Sequence, residues 1–243
     1  MDRINILGVQ VDMVTIPEAA DKIVEFLSED KLHTVYTPNS EIIMEAYRDK
    51  AFSKVLNEAD LLTADGIGVV YASKYLKKPL RERAAGYDIA RLLLQKLNYT
   101  DHKLFLFGGK PGVAELAMGN IKKDYPQLNI VGTRNGYFGE EDEDEIIAQI
   151  NESGADILFV CLGAPRQEKW IYEHKDKLKV KVAMGVGGSI DVFAGTVQRA
   201  PEFFCKTGLE WFYRLMKEPW RAKRMTDLPK FAVTVLKEGK KYK

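Results

Sequence analysis

Short apolar runs, each ending in glycine, proline, asparagine or aspartate and separated by stretches of 3.6-residue periodicity, constrain this chain more than any other feature. They are "LHTVYT" (32–37), "DLLTA" (60–64), "KLFLF" (103–107), "LNIVGT" (128–133), "DILFVCLG" (156–163) and "KVAMGV" (181–186). Such runs suit strands buried on both faces, as in a parallel sheet covered by helices. "INILGVQV" reads as a further strand, ahead of a helix that Thr15-Ile16-Pro17-Glu18 opens with a capping box and an early proline. That helix is expected to bury Ile16, Ala20, Ile23, Val24 and Leu27. The predicted fold is α/β: a Rossmann-like, mainly parallel sheet flanked by helices over residues 1–195. After Gly195 the strand pattern stops. Residues 196–243 read as a C-terminal helical appendage, two or three short helices punctuated by Pro201, Gly208, Pro219 and Pro229.

With 243 residues and 46% hydrophobic content the chain can build a substantial core. Its longest apolar runs, such as Ile157 to Leu162, fall far short of the roughly 20 residues that span a bilayer. The N-terminus also lacks a basic stretch followed by an apolar one, so a cytoplasmic location is expected. Cys161 and Cys205 have neither disulfide-framework nor zinc-site spacing and read as buried thiols. His33, His102 and His174 are scattered and read as structural or solvent-facing. Charge is uneven: residues 199–243 hold 12 Lys/Arg against 5 Asp/Glu, leaving 24 against 30 in residues 1–198. A basic tail therefore follows a mildly acidic body.

In an open parallel sheet, ligands bind beyond the carboxyl ends of the strands, where loops and helix N-termini offer backbone N–H groups. Those loops are "TPNSE" (37–41), "ADGIG" (64–68), "GGKPG" (108–112), "GAPRQEKW" (163–170) and "GVGGSID" (185–191). "GGKPG" lacks both Walker-A and full GxGxxG form, so a phosphate turn and an ordinary βα turn fit it equally. Thr37 and Asn39 read as ligand contacts or helix caps. In "GVGGSID", the glycines admit a ligand to the backbone, and the plain alternative is a turn capped by Ser189 or Asp191. Arg166, Gln167, Glu168 and Lys169 suit phosphate and sugar hydroxyls better than a solvated face. Tyr137 offers a stacking face for a nucleobase or a core aromatic.

Asp142-Glu143-Asp144 is formally a DxD, but it lies in a six-residue acidic run at a helix start, where carboxylates favour the dipole and solvent. No metal is expected there. The tail stretch "LEWFYRLMKEPWRAKR" (209–224) interleaves aromatic and basic residues as an interfacial, anionic-lipid-binding segment does. Asp65, where an apolar run breaks into glycine, either caps the next helix or performs chemistry.

Taken in order, "TPNSE", "ADGIG", "RAAGYD", "GAPRQEKW", "GVGGSIDVFAG", "RAP" and "LEWFYRLMKEPWRAKR" resemble the WecG/TagA/CpsF family of bacterial glycosyltransferases across nearly the whole chain. The resemblance implies inverting transfer of a sugar from a UDP-sugar donor to polyprenyl-diphosphate-linked N-acetylglucosamine at the cytoplasmic face of the membrane. Its closest likeness is to the branch that uses UDP-N-acetylmannosamine in the teichoic acid linkage unit. It implies Asp65 as catalytic base. Thr37, Asn39, Arg83 and Gln167 become substrate contacts, and the tail's Arg214, Arg221 and Arg224 close over the site. Tyr137, Gly187, Gly188 and Asp191 become nucleotide contacts. No cofactor and no nucleic acid partner are implied; the partners are the two substrates, an anionic membrane surface and, as an open arrangement, a second copy of the chain. The competing classes are the same chemistry with another UDP-sugar, a nucleotide-binding oxidoreductase, for which the first βα turn lacks GxGxxG, and a non-catalytic nucleotide-sugar sensor.

Overall fold

The computed structural model describes residues 1–217, 219 and 222–242, without the side chains of Lys206, Arg214, Lys223 and Arg224. The described residues form eight strands: β1 (Arg3–Ile6), β2 (Val9–Asp12), β3 (His33–Tyr36), β4 (Leu61–Leu62), β5 (Lys103–Gly108), β6 (Asn129–Arg134), β7 (Ile157–Cys161) and β8 (Val182–Gly185). The last six form one sheet in the order β4-β3-β8-β7-β5-β6, with every pairing parallel. This is the α/β sheet flanked by helices that the apolar runs predict.

The first run departs from expectation. "INILGVQV" is an antiparallel hairpin, β1 against β2, outside the parallel sheet. Leu7 and Gly8 turn the chain at φ 54° and 96°, a left-handed pair matched to hairpin twist, and the leucine at its first position hides the turn from a sequence reading. The helix Ile16–Phe26 starts as expected, with the Thr15–Glu18 capping box in place. Ala20, Ile23 and Leu27 are buried as expected, Val24 is exposed, and Ala19 and Phe26 join the buried face, with Phe26 stacked on His33.

Helices cover both faces of the sheet, and the sides they take position the site. The helices after β3 (Ser40–Arg48) and β7 (Arg166–His174) bury Ile43, Trp170 and Ile171 in one core. Those after β5 (Val113–Asp124) and β8 (Ser189–Phe193) bury Val113, Ala114 and Ile190 in the other. Strand β8 therefore leaves to one side while its neighbours β3 and β7 leave to the opposite side. A crevice must open above β8, which is the geometry of a topological switch point.

Beyond Gly195 the chain is helical at Glu202–Lys206, Glu210–Lys217, Ala222–Met225 and Asp227–Glu238. Pro229 does not interrupt the last helix, since it occupies the first turn, where no intrahelical N–H bond is lost. That helix buries Phe231 and Val235 in the same core as Trp170. No described helix is long and apolar enough to cross a membrane.

Candidate active site

The crevice above β8 is a cleft of about 340 Å³. Thr37 and Asn39 enter it from the β3 exit, Asp65 from the β4 exit, Gln167 from the helix after β7, and Gly187, Gly188 and Asp191 from the β8 exit. Arg83 reaches it from the segment before the helix Gly86–Leu97. Eight of the sequence-predicted residues thus line a single cleft. Tyr137, 64% exposed, lines an adjoining cleft of about 660 Å³ with Gly109, Lys110 and Arg166. Cys161, Leu162 and Asp191 border both, so the two clefts are continuous.

Local backbone chemistry sets these positions. Asn39 caps the helix Ser40–Arg48, its Oδ1 accepting from the Ile42 N–H at 3.0 Å, while the residue also lines the cleft. Capping and ligand contact are not exclusive here. A Cβ on Gly86 would lie 2.7 Å from Thr37 Oγ1, so only glycine lets that helix start against Thr37. Gly187 has φ +54°, and its N–H donates to Gln167 Oε1 at 3.0 Å. Neither Ser189 nor Asp191 caps the following helix, whose N-cap is Gly188 without a side-chain cap bond. Ser189 Oγ instead donates to the Val186 carbonyl at 2.6 Å.

Gln167 is 3% exposed, and its Nε2 donates to Glu168 Oε1 at 2.8 Å. Glu168 is itself 1% exposed, and burial raises its carboxyl pKa to about 7. The pair fixes the floor of the cleft beneath Gly187. Lys169 turns away to Asp49, 3.4 Å distant.

Asp65 Oδ2 accepts from the Gly86 N–H at 3.4 Å, beyond the usual N–H···O range, and its own N–H donates to the Pro38 carbonyl at 3.0 Å. It does not cap the helix Ile67–Tyr75, whose N-cap is Gly66 at φ 115°. Although no arginine adjoins Asp65 in sequence, Arg83 acts on it in space. Burial disfavours the Arg83 charge, but Asp65, Glu210 and Asp88 outweigh it and hold the guanidinium pKa above its ordinary value. Glu210 accepts from Arg83 Nη1, and Asp88 lies 3.6 Å from Nη2. Asp88 also takes both oxygens to Arg199 Nη2, at 2.6 and 2.7 Å, and the Arg199 guanidinium stacks on Tyr87 at 4.5 Å.

Arg199, Tyr87 and Glu210 complete the wall of the cleft, with Asp88 paired to Arg199, and none of the four was singled out as a site residue from the sequence. "RAP", "RAAGYD" and, for Glu210, "LEWFYRLMKEPWRAKR" marked their neighbourhood. Glu210 brings the tail helix Glu210–Lys217 to the cleft. Arg221 lies outside the described residues, as do the side chains of Arg214 and Arg224.

Arg166 fixes the loop that carries Tyr137. Its guanidinium donates to the carbonyls of Gly136 at 3.2 Å and Phe138 at 3.4 Å, and stacks on the Phe138 ring at 4.3 Å. The acidic run beyond is occupied with helix initiation. Asp142 Oδ2 accepts from the Gly139 N–H at 3.0 Å, Glu143 lies 3.1 Å from His174, and Asp144 pairs with Lys177 at 2.9 Å. Among the described residues no group of three His, Cys, Asp or Glu side chains is arranged to hold a metal ion. Cys161 is buried, its thiol pKa raised by burial; Cys205 is only half-buried, with Sγ 3.4 Å from the Ala200 carbonyl. His33 is buried against Phe26, and His174 lies edge-on to Trp170.

Two kinds of comparison bear on this geometry. The profile described as "Glycosyl transferase WecG/TagA/CpsF family" matches residues 4–243. A protein of Bacillus subtilis (strain 168), named N-acetylglucosaminyldiphosphoundecaprenol N-acetyl-beta-D-mannosaminyltransferase, is 41% identical over 209 residues, covering 86% of this chain and 81% of the relative. Proteins of the same name from Bacillus spizizenii and from Staphylococcus aureus (strain MRSA252) are 40% identical over 212 residues and 35% identical over 243 residues. The last alignment covers 99% of this chain and 95% of the relative.

Proposed function

This chain belongs to the WecG/TagA/CpsF family of glycosyl transferases, and we propose that it transfers N-acetylmannosamine from UDP-N-acetylmannosamine to polyprenyl-diphosphate N-acetylglucosamine. The product is the β-linked disaccharide lipid of the wall teichoic acid linkage unit. The observation that carries this reading is the convergence of Thr37, Asn39, Asp65, Arg83, Gln167, Gly187, Gly188 and Asp191 on one cleft at the strand exits, in a chain whose relatives are named for this transfer.

In this reading the reaction is one inverting displacement. The acceptor hydroxyl oxygen attacks the anomeric carbon of an α-linked donor, its proton passes to the Asp65 carboxylate, and the bond from the anomeric carbon to the diphosphate breaks to release UDP. Asp65 suits the role of base because it lines the cleft at the β4 exit, with Gly66 beside it to admit the acceptor closely. The nucleotide lies toward Tyr137, Gly187, Gly188 and Asp191, with Tyr137 stacking on the base. Charge developing on the departing UDP is met without a metal, by Arg83, by backbone N–H groups and by the tail arginines Arg214, Arg221 and Arg224. Thr37, Asn39 and Gln167 orient the sugars, Gln167 chiefly through its hold on Gly187. The enzyme works peripherally at the anionic inner face of the membrane, where its lipid-linked acceptor resides.

UDP release across a panel of donors, with a lipid-diphosphate N-acetylglucosamine analogue as acceptor, tests class and specificity together. UDP-N-acetylmannosamine should give the highest kcat/KM. No UDP release with any donor, in a protein that binds UDP, would replace the transferase with a nucleotide-sugar sensor.

A further inference from the structure

Two helices far apart in sequence present one exposed face. The helix Ile67–Tyr75 buries Val69, Val70 and Ala72 and leaves Tyr71 58% and Tyr75 37% exposed. Lys74, Lys77 and Lys78 are exposed beside them. The helix Asp227–Glu238 buries Phe231 and Val235 and leaves Val233 49% and Leu236 57% exposed, with Lys237 and Lys240 alongside. Contacts join the two stripes: Tyr75 Oη donates to the Leu236 carbonyl at 3.2 Å, and Lys240 Nζ lies 5.8 Å from the Tyr75 ring centre. The acids on the second helix are engaged elsewhere. Glu238 accepts from Tyr47 Oη at 3.0 Å and lies 3.5 Å from Lys241, while Asp227 pairs with Arg48 at 2.8 Å.

We propose that this shared face seats on an anionic lipid bilayer, so that membrane contact extends from the C-terminal tail onto the body of the enzyme. A surface of two tyrosines and two aliphatic side chains with exposed lysines beside it suits the headgroup region. There the phenol rings keep their hydroxyls wet, the lysine stems lie along apolar surface, and each ammonium meets a lipid phosphate. The charge selects the occupant, because Lys74, Lys77, Lys78, Lys237 and Lys240 are exposed beside the apolar residues while Asp227 and Glu238 are paired. The proposal rests on the membrane-surface reading given above and deepens it by naming the seat. It also has a geometric consequence: the helix Ile67–Tyr75 follows Asp65 and Gly66 directly, and nine residues of helix extend about 13 Å. The surface and the cleft lie one short helix apart.

The test is flotation of the full chain with phosphatidylcholine vesicles, with and without phosphatidylglycerol. The wild type should float only with the anionic vesicles and lose binding as salt rises. Lys74→Gln with Lys78→Gln should lower the partition roughly fivefold for each lysine removed. Tyr71→Ser with Leu236→Ser should lower it comparably, whereas Tyr99→Ser, at a tyrosine 78% exposed elsewhere, should not. Unchanged melting temperatures confirm the fold of each variant. Wild-type flotation by both double variants, or equal binding to neutral vesicles, overturns the proposal. So does a dimer in sedimentation that Tyr71→Ser with Leu236→Ser dissolves, since the face would then belong to a second copy. UDP release from UDP-N-acetylmannosamine in the presence of a water-soluble acceptor separates the two readings: its absence in the wild type removes the transferase reading, while flotation alone decides the surface.

Discussion

Aspartates serve the two ends of the same sheet in opposite ways. At the amino ends, Asp60 Oδ2 accepts from the Thr34 N–H and Asp156 Oδ2 from the Lys103 N–H, both at 2.9 Å. Each closes the start of a neighbouring strand. At the carboxyl ends, Asp65 lines the open cleft, accepts from the Gly86 N–H at 3.4 Å and acts with Glu210 and Asp88 on Arg83. The same residue type closes a strand through a backbone bond at one end and is set among competing charges in the cleft at the other. A carboxylate committed to closing a strand is poorly placed to take a substrate proton, and one lining the cleft is well placed.

The sharpest way to break this contrast is Asp65→Asn. It should reduce turnover roughly 10²–10⁴-fold, the usual contribution of a general base, while UDP affinity by calorimetry and the melting temperature stay at wild-type values. Wild-type turnover in Asp65→Asn would put Asp65 in the same class as Asp60.

Glu168 belongs to neither group, since it lies at the carboxyl ends yet is buried. Its rise from an ordinary 4.5 to about 7 in the fold corresponds to roughly 3 kcal/mol. Because the folded value is the higher, this contribution is fully present below about pH 4.5 and is lost as pH rises to about 7, then stays level. Urea melts of the wild type and Glu168→Gln across that range should differ by a gap that changes by about this amount. A constant gap would show that Glu168 ionises in the fold as readily as in the unfolded chain.

At the amino ends, Asp60→Ala should lower stability by about 1–2 kcal/mol, the penalty for an unpaired buried N–H, without changing turnover per folded molecule. A selective loss of kcat there would erase the division between the two ends. The smallest effect is expected at Glu210→Gln. Freeing Arg83 from one partly exposed carboxylate should tighten UDP binding by no more than about fivefold; weaker binding would mean that Glu210 orients Arg83 for the ligand instead of competing with it.

What the sequence disclosed follows the range of each interaction. All six strands of the parallel sheet were legible, because each is a buried run with punctuation at its end. The β1–β2 hairpin was not, since its turn depends on Leu7 adopting a positive φ that leucine does not advertise. Cleft residues carried by the strand-exit loops, such as Thr37 and Gly187, could be named from loop chemistry. Glu210 and Arg199 could not: their partners Arg83 and Asp88 stand 127 and 111 residues away, and only the folded chain sets them together. Pro229 misled by its type, because a proline in a first turn opens a helix as readily as one elsewhere ends it.

The ion pair between Arg83 and Glu210 carries a thermodynamic obligation. It ties the tail helix to the wall of the cleft, so an anion that takes Arg83 must weaken the docking of the tail there. By reciprocity, the factor by which the docked tail lowers affinity for that anion equals the factor by which the bound anion loosens the tail.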